Sequence, residues 1–119
     1  MNQATREGLF DLSYLNQIFQ GNQEMVKNII RLFLEQVPDY IAEMEDCVVR
    51  ADLDLLHPLA HKAKSSVAML GLKKMETNIL EIEKNSKYGE NTHRLPDLVK
   101  EVRKECDLVF SQLEEILEV

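Results

Sequence analysis

Residues 23–50 read QEMVKNIIRLFLEQVPDYIAEMEDCVVR. Within them Val26, Ile29, Ile30, Phe33, Val37, Ile41, Met44 and Val48 recur every three or four positions, so they share one face of a helix. An apolar stripe of that length has to be covered by other elements. Pro38 lies inside the pattern. Its ring removes a backbone donor and crowds the preceding turn, but the stripe continues on both sides, so a kink is expected there and not a helix end.

The flanking sequence supplies the cover. Upstream, Asp11 or Ser13 caps a short helix over 12–19 carrying Leu12, Leu15, Ile18 and Phe19, and Gln20-Gly21-Asn22 breaks it from the long one. Downstream, Asp52 caps a helix over 52–70 with an inner stripe of Leu56, Ala60, Ala63, Val67 and Leu70, stopped by Gly71. A further helix over 73–88 turns Met75, Ile79 and Ile82 inward, and Gly89-Glu90-Asn91-Thr92 reads as a loop. The last helix, 95–117, has Pro96 in its first turn and a stripe of Leu98, Val102, Cys106, Val109, Leu113 and Ile116 or Leu117. The expected fold is all-α: an antiparallel four-helix bundle with a short additional N-terminal helix across one end. Its 119 residues form one domain, and only four glycines and three prolines punctuate it.

Composition limits the partners. A net charge of −7 and a pI near 4.9 leave too few cations for a duplex phosphate backbone or an anionic membrane surface. No apolar run approaches the ~20 residues of a membrane span, and the start MNQATREG is no secretory signal. Cys47 and Cys106 fall within helical stripes and read as buried reduced thiols, which fits a cytoplasmic chain.

On a wheel of the third helix, His61 falls roughly 145° from the centre of the inner stripe and so faces water. His57, Lys64, Ser65, Ala68 and Leu72 lie on the same outer side, with Lys64 and Ser65 one turn after the histidine. A neutral imidazole holds a lone pair on one ring nitrogen and is a competent nucleophile at cellular pH. A phosphorylated side chain brings up to about two negative charges, which a lysine one turn away stabilises. Phosphoryl transfer is mostly positioning and charge neutralisation, so such a site needs no metal of its own. Surface residues of ordinary kind are the competing reading of His61, Lys64 and His93. His57 and His61 are also spaced as two metal ligands, although no third ligand clearly joins them.

The stretch Leu59–Gly71, LAHKAKSSVAMLG, resembles the signature of histidine-containing phosphotransfer (Hpt) domains. Ala60, His61, Lys64, Ser66 and Gly71 are in register with that pattern, and Phe33, Leu34 and Pro38 match a second stretch of the family. The resemblance extends over about 12–117. Two positions depart from it: Ser65 stands where glycine is frequent, and Ala63 replaces a bulkier apolar residue. Serine is small enough to leave the imidazole accessible; its hydroxyl either bonds the phosphoryl group or narrows the approach.

The resemblance implies a phosphorelay carrier. His61 takes a phosphoryl group from an aspartyl-phosphate on a receiver domain, through the ring nitrogen facing solvent, and passes it reversibly to another receiver. Lys64 is then the charge partner, with Ser65 and Ser66 near the phosphoryl group. The magnesium of the transfer belongs to the receiver, and no cofactor is expected here. The implied partners are response-regulator receiver domains and a hybrid sensor histidine kinase. Leu12 and Leu15, read as exposed, join His57, Ala68 and Met69 as the docking surface. The chain has no nucleotide-binding pattern, so no autokinase activity is expected, and a monomer suffices. The starting Met1 and the full set of helices favour a stand-alone protein over a piece of a hybrid kinase. A non-phosphorylated helical adaptor and a metal- or cofactor-binding bundle are the alternatives.

Overall fold

The computed structural model describes residues 10–118; the polar start at residues 1–9 lies outside them. Among the described residues five α-helices follow one another: α1 Ser13–Ile18, α2 Gln23–Arg50, α3 Leu53–Met69, α4 Lys73–Tyr88 and α5 Leu95–Glu118. A 3-10 turn, Thr92–Arg94, leads into α5. Helices α2 to α5 form an antiparallel ring in which α2 packs on α3 and α5, and α4 on α3 and α5.

The boundaries have local causes. Asn22 caps α2, its side-chain oxygen accepting from the Met25 N–H at 3.2 Å, and Asp52 caps α3 by accepting from the Leu55 N–H at 3.2 Å. Asp11 accepts from the Ser13 N–H at 2.9 Å, one residue outside the N-cap of α1. Helix α2 runs through Pro38, and α3 likewise through Pro58, without a break. Gly71 follows α3 in the left-handed region, φ +66°, and Gly89 ends α4 in the same way.

The expected stripes meet in one core. On α2 the buried set is Val26, Ile30, Phe33, Val37, Ile41, Met44 and Cys47, while Ile29 and Val48 are half-buried at its edge. Arg103 of α5 fixes the α2–α5 register with a two-pronged pair to Glu45, at 3.1 and 3.0 Å. Both cysteines are buried and free; burial pushes the Cys106 thiol up to about 11, so neither is a reactive thiolate at neutral pH. Among the described residues no helix is long and apolar enough to cross a membrane.

Three expectations about exposure are corrected. Leu12 and Leu15 belong to the core, at 7% and 0% exposure, because α1 lies with its apolar side down on the bundle end. Leu72 is buried too: the left-handed Gly71 ends the helix before it, so the wheel of α3 no longer applies at that position. Lys64, at 28% side-chain exposure, sits on the flank of α3 that faces α4 and is not freely solvated.

Candidate functional site

Helix α3 places His61 outward, with 66% of its side chain exposed. The ring is not free to turn. Its Nδ1 lies 2.7 Å from Oε2 of Glu83 on α4, and Lys64 Nζ donates to the other oxygen, Oε1, at 3.0 Å. One carboxylate thus holds two residues of α3, spaced one turn apart, from across the α3–α4 seam.

Protonation follows from this geometry. Burial pushes the Glu83 carboxyl up, but the bonds from Lys64 and His61 outweigh it and hold the group below the usual carboxylate range. An ionised carboxylate only accepts hydrogen bonds, so the nitrogen facing it must carry the proton. In its neutral form His61 is therefore the Nδ1–H tautomer, with the lone pair on Nε2. A largely exposed imidazole held in one orientation is an arrangement that can act as a nucleophile.

The remaining residues fall into two flanks. Ser65 and Ala68 line an open groove of about 530 Å³ between α3 and α1, completed by Asp11, Ser13, Tyr14, Gln17, Met69, Gly71 and Lys73. Tyr14 leaves much of its surface in water there, at 55% exposure. Ser66 turns the other way, into a small cleft against α2 with Ile29, Leu32, Phe33, Gln36 and Met69. The structure thus brings His61, Lys64 and Ser65 to one face and leaves Ser66 on the α2 side. His57 and Ala68 are half-buried, and Met69 packs against the core edge with part of its side chain still showing.

Glu83 is the residue that sequence reasoning missed. It sits 22 positions from His61, and a wheel of α3 alone has no view of it. The signal was nonetheless present: counting equally outward from the Gly71 turn along an antiparallel pair brings the α4 positions near Glu83 opposite His61.

With the geometry in place, comparison with known families shows that the Hpt domain model matches residues 28–118. The chain belongs to the Hpt domain family. Hpt domains carry out histidine-dependent phosphotransfer in two-component signalling, acting as carriers and not as kinases, and they interact with receiver domains and histidine kinases. No curated protein and no solved structure matches the chain.

Proposed function

We propose that this Hpt domain is a phosphorelay carrier whose phosphoacceptor is His61. The observation that carries the reading is the Glu83–His61 contact, which in the neutral ring leaves the lone pair on Nε2 of an exposed histidine, with Lys64 held by the same carboxylate. In the forward step Nε2 attacks the phosphorus of a receiver's aspartyl-phosphate. The P–O bond to the aspartate breaks, and its carboxylate leaves with the electron pair. The phosphoimidazole keeps its Nδ1 proton against Glu83, and the reverse step returns the phosphoryl group to the aspartate of another receiver.

Three features support the roles of the neighbours. Lys64 lies within reach of the ring's carboxylate partner and can shift towards an incoming phosphoryl group, whose charge it would offset. The groove lined by Tyr14, Gln17, Ala68 and Met69 offers a receiver an apolar rim beside His61, with Leu12 and Leu15 acting beneath it as the base of α1. The magnesium of the reaction is assigned to the receiver, because the chemistry asked of this chain is only an oriented nucleophile and a cation.

The test is transfer of label from a phosphorylated receiver domain, in magnesium, to this chain. An acid-labile, alkali-stable phosphate is expected on the wild type and absent from His61→Gln. Label retained in His61→Gln would overturn the assignment.

A further inference from the structure

We propose that His57 and His61 together form an exchangeable site for a divalent transition ion that prefers imidazole ligands, such as zinc, and that the ion and the phosphoryl group exclude each other. Helix α3 runs unbroken from Leu53 to Met69 and stays helical through Pro58, so the two histidines remain one turn apart on its outer face. That spacing puts their β-carbons about 6 Å apart, and two histidines four apart on a helix recur as a pair of zinc ligands. Long side chains on a helix lean towards its N-terminus, which inclines the His61 ring over the turn that carries His57. Both rings are available. The His61 side chain is 66% exposed, and the half-buried His57 has no hydrogen-bond or ion-pair partner among the described residues.

His61 is already arranged as a metal ligand is. Histidines that bind a metal almost always donate their other ring N–H to a carboxylate, carbonyl or water, which fixes the ring for the ion. Here Nδ1 faces Glu83 Oε2 at 2.7 Å, and Nε2 is left to coordinate. Lys64, one turn on, is paired with the same carboxylate at 3.0 Å, so its charge opposes an incoming cation less than a free ammonium would. The net charge of −7 draws cations to the surface as a whole. Among the described residues no three His, Cys, Asp or Glu side chains gather into a metal cage, so the ion keeps water in its remaining positions and exchanges readily. The exclusion rests on His61 as the phosphoacceptor: Nε2 has one lone pair, which bonds either the phosphorus or the metal. A rise in free zinc thereby withholds the nucleophile without altering the fold.

The test uses the whole chain and zinc chloride. Titration calorimetry is expected to show one ion per wild-type chain, with affinity lowered at least about tenfold in His57→Ala and in His61→Gln, since loss of even an outer partner of a metal ligand costs about 10- to 100-fold. His93→Ala removes the histidine of the 3-10 turn and should bind as the wild type does. Affinity unchanged in His57→Ala, or lowered as much in His93→Ala, overturns the site. Phosphorylation by phosphoramidate is then followed by phosphorus NMR, with and without free zinc at about ten times the wild-type Kd. The readout is the ratio of the two rates in each protein, so any effect of a substitution on phosphorylation itself cancels. By mass action the wild type should slow about tenfold and His57→Ala about twofold or less. Equal slowing in the two proteins overturns the exclusion. Label retained by His61→Gln without zinc would instead remove His61 as the phosphoacceptor and the exclusion with it, while calorimetry still decides the site.

Discussion

Gly71 lies directly against Asp11: a β-carbon at position 71 would come 2.5 Å from the Asp11 carbonyl oxygen and 2.7 Å from its β-carbon. The Asp11 N–H also donates to the Leu70 carbonyl at 2.9 Å, so the chain entering α1 is laid across the end of α3. This close approach, together with the left-handed φ of +66°, requires glycine there. The consequence reaches the site, because the same crossing sets the α1 wall of the groove beside Ser65 and Ala68.

Gly71→Ala is therefore expected to cost about 2 kcal/mol or more, combining the left-handed penalty with displacement of Asp11. A thermal melt should show a Tm lower by roughly 8 °C. Receiver binding should weaken further than the melt alone explains, since α1 loses its seat. A variant with unchanged Tm would show that the chain at Asp11 yields freely.

Glu105 makes stability depend on acidity. It is buried on α5, where Asn78 Nδ2 donates to Oε1 at 3.1 Å while Oε2 is buried without a hydrogen bond. Burial pushes its pKa up, Glu101 adds to this, and Asn78 and Lys74 only partly offset it. A carboxyl whose folded value lies above its unfolded one near 4.5 favours folding below that value and loses the contribution as pH rises through the folded value. Glu105→Gln keeps the acceptor for Asn78 and does not ionise. Its Tm should match the wild type near pH 4.5 and exceed it by a few degrees at pH 8; a difference independent of pH would contradict this.

Lys64→Ala should slow transfer from a receiver on the order of tenfold, about 1.4 kcal/mol, by removing the cation that meets the phosphoryl charge. The fold should persist, because Lys64 is half-buried by its stem and contributes no core surface. Rapid-quench transfer assays measure the rate, and circular dichroism checks the fold. An unchanged rate would take Lys64 out of the mechanism.

The fold was legible because each stripe is long and its ends carry caps: Asp52 and Gly71 bound α3 as their types demand, and Met75, Ile79 and Ile82 point inward as their spacing requires. Polar members of the core were not, since Asn85, Ser86 and Glu105 break no apolar pattern; Ser86 is accommodated by donating to the Ile82 carbonyl at 2.6 Å. Within the site, His61 and Lys64 could be read from a single helix. Glu83 could not be read from α3 alone, because a contact between two helices depends on their register, which the count outward from Gly71 supplies. Leu12 and Leu15 were misplaced for a related reason: α1 spans Ser13–Ile18 only, and so short a pattern does not say which side faces the bundle.

Tyr14 replaces them as the residue on which docking should depend. Its ring is 55% exposed on the rim of the groove, on the same side as Ser65 and Met69, and Leu15 beneath it holds α1 in the core. Exposed aromatic rings beside a reactive centre dominate contact energy when a partner covers them, with truncation costing more than about 1 kcal/mol. Tyr14→Ala should therefore raise the receiver concentration needed for half-maximal transfer by about tenfold while leaving the rate at saturation and the Tm nearly unchanged, because more than half of the residue's surface is already exposed. Steady-state transfer at varied receiver concentration separates the two parameters. A fall in the saturating rate with unchanged half-saturation would mean that Tyr14 orients the bound receiver and contributes little to holding it.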